Sequence, residues 1–199
     1  MPRRSIAAPS ALIALFLVTT AVADSTTVDD NRNVRANALD IEEARASHRG
    51  DQVQHTITTY RPWRTSVLRS RRSRPRASCI YVWKSGRTIN QRQDYEVCAR
   101  YRRNKLRAYV WKVRPRRRVQ GRAEVSRFDQ NSVTFAFDLQ MIGSPTLYRW
   151  QAVTGFTGRG CPKDPPYQFG CDDSAPTRGA VSHDLNKPEE PAPAPPPSP

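Results

Sequence analysis

Lysine is almost missing from a strongly basic chain. Of 33 Lys plus Arg residues in 199, five are Lys and 28 are Arg, against 18 Asp plus Glu, for a formal charge of +15. Glycine is scarce at nine residues, methionine scarcer at two, and histidine is limited to three. No apolar run of about 18 residues exists beyond Ile6–Val22, which excludes a bundle of transmembrane helices. No G-x-S-x-G, H-E-x-x-H or paired-Glu constellation is present, so the familiar hydrolase and metalloprotease signatures are excluded. The four Cys contain no C-x₂₋₄-C pair, which excludes the usual zinc spacing. What is present is a modest apolar content of 37 % beside 17 Pro, the balance of one ordinary domain with polar ends.

The ends separate first. Residues 1–23 read as a secretory signal peptide: Arg3 and Arg4, the apolar run Ile6–Val22, then the A-x-A site Ala21-Val22-Ala23. No membrane span follows it. Residues 24–37 lack apolar periodicity and residues 187–199 are Pro-rich, so both are expected to be disordered, the second favouring polyproline II. The folded candidate is 38–186. It holds all four Cys, and an even count in an exported chain points to two disulfides. Three connectivities are possible. Cys79 and Cys98 fall on consecutive strands, and Cys161 and Cys171 bracket a Pro- and Gly-rich loop, so Cys79–Cys98 with Cys161–Cys171 is the expected pairing.

Within the domain the period is that of strands. Val53, His55, Ile57 and Thr59 alternate with polar neighbours, and Val133, Phe135, Phe137 and Leu139 form the clearest inward set. Ser78–Trp83, Tyr95–Tyr101, Leu106–Val113 and Tyr148–Val153 complete the series. Residues 38–47 could pass for a helix, but the Gly50-Asp51 turn after them favours a strand. The fold class is all-β, an antiparallel two-sheet β-sandwich of jelly-roll or immunoglobulin-like type, stabilised by disulfides. His55 is expected to pack as a strand residue rather than act as a base. Trp150, next in order to the Phe135/Phe137 strand, is the expected core tryptophan. Asp172-Asp173 could offer oxygens to Ca²⁺, but adjacent Asp in a loop more often face solvent or cap a turn, and neither metal nor cofactor is expected.

The charge is concentrated. Residues 61–127 hold 19 Arg and three Lys against Asp94, Glu96 and Glu124, a net of +19, whereas the segments 24–60 and 128–199 each carry −3. One cluster is Arg69, Arg71, Arg72, Arg74 and Arg76; a second is Arg114, Arg116, Arg117 and Arg118; Arg100, Arg102, Arg103, Lys105 and Arg107 form a third. Trp63, Tyr81, Trp83, Tyr101, Tyr109 and Trp111 are interleaved with them. Guanidinium forks match phosphate, sulfate and carboxylate, and aromatic faces stack on sugars. The competing reading of the Arg excess is a compositional habit with solvated strand faces.

The run His55-Thr56-Ile57-Thr58-Thr59-Tyr60-Arg61-Pro62-Trp63 resembles the H-T-x-x-T-x-x-x-W strand of secreted proteins of actinobacteria. Asp94-Tyr95-Glu96-Val97, Ser132–Asp138, Tyr148-Arg149-Trp150 and Cys171–Pro176 with His183 follow in the same order. The resemblance spans residues 38–186 and implies a β-sandwich similar in strand pattern to DOMON and family-9 carbohydrate-binding modules. It carries over no catalytic residue. The function expected is therefore a secreted, non-catalytic module for an extracellular or cell-envelope glycan, with Trp63, Trp83, Trp111, Tyr81 and Tyr109 as candidate ligand contacts. The alternative is an Arg-mediated binder of polyanions such as teichoic acid, acidic polysaccharide or extracellular DNA, with no specific nucleic acid expected; a small hydrolase with an unidentified site is the third.

Overall fold

β-branched and aromatic residues at every second position commit this chain to strands, because each then presents one apolar face for burial. A computed structural model describes residues 25–34, 38–69, 76–84, 91–156, 161 and 171–187. Its strands are β1 (Thr26–Asp29), β2 (Ile41–Arg49), β3 (Gln52–Thr59), β4 (Ala77–Lys84), β5 (Tyr95–Arg102), β6 (Lys105–Lys112), β7 (Arg118–Ser126), β8 (Ser132–Asp138), β9 (Leu147–Phe156), β10 (Cys171–Ala175) and β11 (Val181–Asp184). Two 3₁₀ turns, Thr65–Leu68 and Leu139–Ile142, are the helical elements among the described residues.

The all-β, antiparallel, disulfide-bonded reading holds. The two separate sheets of a sandwich do not appear: one path of hydrogen-bonded neighbours runs β1-β2-β3-β8-β7-β6-β5-β4-β9-β10, with β11 also on β9. The reason lies in β7. Its first part, Arg118–Ala123, pairs with β6, and its last part, Glu124–Ser126, pairs with β8, so one strand turns the corner that would otherwise divide two sheets. The path curls until its ends meet. There the closure is made by side chains: Asp173 Oδ2 accepts the Ile41 N–H at 2.6 Å, Thr154 Oγ1 donates to Leu39 O at 2.7 Å, and Thr177 Oγ1 donates to Asp30 Oδ1 at 2.7 Å. The result is a nearly closed barrel, which removes most of the sheet edge that invites aggregation.

Inside, bulk and smallness alternate. Ala99, Ala108 and Ala123 stand in register across β5, β6 and β7, and large buried rings (Phe135, Tyr148, Trp150) occupy strands β8 and β9. Leu68 of the first 3₁₀ turn, which packs on β5, and Leu139 with Ile142 of the second extend the same core. Both disulfides form, Cys79–Cys98 and Cys161–Cys171. Cys79 and Cys98 are directly opposed on β4 and β5 and pack on the outer side of the sheet with Ala77 and Tyr81.

Strand β1 revises the expected boundary: Thr26–Asp29 pairs with β2 in register Thr26↔Ala46 to Asp29↔Glu43, so the folded unit begins inside the segment expected to be disordered. Residues 1–23, expected to be a signal peptide, and residues 188–199 lie outside the described residues.

Candidate anion-binding face

Strand alternation sorts β4–β7 into two faces. Val97, Ala99, Ala108, Val110 and Ala123 face the core. Their neighbours in sequence face outward, and the registers arrange those in rows. Tyr81, Glu96 and Trp111 make one row; Cys79, Cys98, Tyr109 and Arg122 make the next; Arg100 opposes Arg107, and Arg102 opposes Lys105. Two like-charge pairs thus sit directly across from each other on adjacent strands, an arrangement that costs stability in the absence of a counter-charge. Among the described residues, Arg100, Arg102, Lys105, Arg107 and Arg122 have no acidic partner within ion-pair distance. The Arg107 Nε is buried without a hydrogen-bond acceptor. At the far end of the face, Arg117 Nη2 bonds Glu96 Oε2 at 2.9 Å while its guanidinium lies 5.0 Å from the Trp111 ring centroid. Gln93 Nε2 donates to the other Glu96 oxygen at 2.7 Å. The Tyr81 hydroxyl is pushed up to about 12, chiefly by burial and then by Glu96, so it remains a neutral donor.

Arg122 also borders a groove of about 640 Å³ where β7 changes partner. Gln54, Glu124, Ser126 and Thr134 supply its polar walls. Arg122 therefore joins a charged, aromatic sheet face to a channel of hydroxyl, amide and carboxylate groups.

Of the residues expected to contact a glycan, Tyr81, Tyr109 and Trp111 come together here, each partly exposed. Trp63 and Trp83 do not. Trp83 is 4 % exposed, and its Nε1–H donates to Gln91 O at 2.7 Å. Trp63 is 5 % exposed, with the Arg127 guanidinium 3.8 Å over its ring. Both rings are occupied by their own chain, so neither offers a sugar platform. Trp150 is fully buried, as expected of the core tryptophan.

The Arg clusters divide similarly. Arg69 stacks 5.3 Å from Tyr101, and Arg76 4.4 Å from Phe156. Arg71, Arg72 and Arg74 lie outside the described residues. Arg116 is exposed on the turn before β7, whereas Arg114 and Arg118 stand by one open end of the barrel, away from the rows above. Four of these five cations, all but Arg122, belong to the third sequence cluster, but only pairing reveals that they oppose one another.

The histidines build the core. His55 is fully buried, its Nε2 2.9 Å from the Tyr148 hydroxyl and its ring stacked on Phe137. Burial first, and the charge of His183 second, hold it well below its ordinary value, so it is a neutral packed residue. His48 Nδ1 lies 3.0 Å from His183 Nε2, and Thr26 Oγ1 lies 3.2 Å from His183 Nδ1. Asp172 and Asp173 fall on opposite faces of β10, Asp172 exposed and Asp173 buried, so the two carboxylates cannot chelate one ion together. No group of three His, Cys, Asp or Glu suited to a metal occurs among the described residues.

No family model matches this chain, and neither does a curated protein or a solved structure.

Proposed function

We propose that this chain is an exported, non-catalytic binding module for acidic extracellular or cell-envelope glycans, held on the outer face of β5–β7. The observation that carries the reading is the two pairs of opposed cations, Arg100/Arg107 and Arg102/Lys105, without acidic partners among the described residues. A polymer carrying regularly spaced carboxylate or sulfate groups would relieve that repulsion, with guanidinium forks gripping the anions. Tyr109 supplies a ring face for a sugar, Trp111 offers only the face that Arg117 does not cover, and the groove beyond Arg122 supplies partners for hydroxyl groups. The two disulfides are compatible with an extracellular place of work. Burial of Trp63 and Trp83 favours this charged form of the glycan reading over a neutral-sugar platform.

The test is affinity electrophoresis in gels containing polygalacturonate, dextran sulfate or neutral dextran. Retardation by the acidic polymers that weakens with salt, and none by dextran, is the expected outcome. A double variant Arg100→Ser/Arg107→Ser should lose about tenfold in affinity, the scale of one or two charge-assisted contacts. Equal retardation by dextran, an unchanged double variant, or tighter binding of duplex DNA than of either acidic glycan would overturn the proposal.

A further inference from the structure

A second concentration of charge lies at one open end of the barrel, separate from the outer face. Val82, Tyr95 and Lys112 are joined in register across β4, β5 and β6, so Lys112 shares the inward side. Lys84, two residues beyond Val82, shares it too. Lys84, Tyr95 and Lys112 are thus the last inward positions of three neighbouring strands, where the pattern upstream is Ile80, Val97 and Val110. Arg118 stands directly across from Lys112.

Lys84, Tyr95 and Lys112, with Asp94, Arg114 and Pro115, line a pocket of about 340 Å³, near the small end of ligand sites. Gly143, outside this lining, brings its backbone close to the Lys84 ammonium. Gly143 closes the Leu139–Ile142 turn at φ 77°, and a Cβ there would stand 2.6 Å from Lys84 Nζ and 3.2 Å from the Tyr95 hydroxyl. Asp94 is engaged with backbone: its Oδ2 accepts the Lys84 N–H at 3.0 Å. Three cations on the pocket wall therefore face one carboxylate. Lys84, Lys112 and Arg114 are half-buried, with Lys84 Nζ 5.9 Å from the Tyr95 ring centroid, and inward end positions of a barrel are ordinarily apolar, so a bound anion would offset the repulsion of like charges gathered there.

We propose that this mouth binds a sugar-sized oxyanion, a molecule of about one hexose carrying a carboxylate or a phosphate. The site is distinct from the glycan face and does not depend on it. Carboxylate and phosphate share the chemistry that Lys84, Lys112 and Arg114 would recognise, so the sources are separated by experiment.

The full chain is titrated with inorganic phosphate, galacturonate and galactose, following backbone amide shifts by NMR. Saturable shifts at Lys84, Tyr95, Lys112 and Gly143 with at least one anion, and none with galactose, are the expected result; the anion that saturates identifies the source. Lys112→Met and Arg114→Gln should each weaken that binding about tenfold. The Arg100→Ser/Arg107→Ser variant should leave it unchanged, which keeps failure here separate from failure of the glycan reading. Arg114, on a loop, keeps the test open should Lys112→Met not fold. The absence of saturation by either anion, galactose binding as well as galacturonate, or unchanged affinity in the folded pocket variants overturns the proposal.

Discussion

Truncation of Arg127 should unfasten a corner of the barrel. Arg127 follows β7, and its Nε donates to Ser132 O at 2.9 Å, its Nη1 to Trp63 O at 2.9 Å, and its Nη2 to Gln130 O. The same guanidinium covers the Trp63 ring at 3.8 Å. Beneath it Asp129 Oδ1 accepts the Asn131 and Ser132 N–H groups at 2.7 Å each, and Asn131 O receives the Thr59 N–H at 3.1 Å. One side chain thus ties the β7–β8 connection to the segment after β3. A hydrogen bond from a charged donor contributes about 1.5–3 kcal/mol when desolvated, and a cation over Trp about 1–2. Arg127 is only partly buried and its carbonyls can rehydrate after truncation, so the three bonds and the stack together are discounted to about 3 kcal/mol for Arg127→Ala. With a urea slope of about 2 kcal/mol/M, the midpoint falls by roughly 1.5 M. Arg127→Lys keeps the charge but reaches one carbonyl at a time, and should recover about a third of the loss. Arg127→Met covers the ring without donors and should stay near the Ala variant. Unfolding followed by Trp emission and by circular dichroism tests whether the transition is two-state. An Ala variant within about 0.5 kcal/mol of the parent, or a Lys variant equal to it, would refute the fork as the fastening element.

Replacing Cys79 and Cys98 by Ala should cost about 3 kcal/mol, the loop-closure value for residues 19 apart, read as a lower urea midpoint; a loss under about 1 kcal/mol would mean that the β4–β5 ladder alone restrains the unfolded chain. The pH dependence of stability should have two opposed parts. His55 is held neutral by burial, so below about pH 6.5 the unfolded chain takes up a proton that the folded chain refuses, and stability falls as pH falls, by up to about 1.4 kcal/mol per unit. Asp173 is raised to about 7 by burial and by Asp30 and Asp40, so from about pH 4 to 7 the folded chain keeps a proton that the unfolded chain releases, and stability falls as pH rises. In His55→Phe only the second part remains. Chemical denaturation of that variant across pH 4.5–8 should show decreasing stability with rising pH (the range lies above the ordinary Asp value, about 4, and brackets the ordinary His value, about 6.5); an acid limb identical to the parent's would refute the assignment to His55.

Strands with two-residue alternation were legible almost to the residue. The Val53–Tyr60 pattern is β3 at Gln52–Thr59, and Leu106–Val113 is β6 at Lys105–Lys112. Four strands escaped notice: β10 and β11, which are only five and four residues long, and β1 and β7, which carry little alternation of their own. β1 is four residues long and exists through pairing with β2, and β7 (Arg118–Ser126) mixes Gly121, charges and two valines because one strand serves two partners. Since β7 also decides between two sheets and one, the barrel was hidden with it. The H-T-x-x-T-x-x-x-W run proves architectural within this fold: His55 packs on Phe137, Thr59 bonds Asn131, and Trp63 lies under Arg127. Trp63 and Trp83 were misread as platforms because strand position says which way a ring points, and not what covers it.

The same distinction bears on the arginines. Composition treats all 28 alike, yet the fold separates those whose planar fork is used from those whose charge is left over. Arg127 serves three carbonyls and Arg117 joins Glu96 to Trp111; neither role suits the point charge of a lysine. At Arg100, Arg102, Arg107 and Arg122 no internal partner asks for a fork, and solvation alone would be satisfied by any polar residue. A compositional habit would scatter such residues over all the outward positions of the barrel. Instead the β3–β8 outer face carries Gln54, Thr56, Thr58, Thr134 and Ala136, and Arg45, Arg49 and Arg149 on β2 and β9 have partners, whereas the cations without one gather on β5–β7, four of them in opposed pairs that weaken the ladder holding them. In the proposed reading, the acidic glycan supplies the counter-charge that these opposed pairs lack within the sheet.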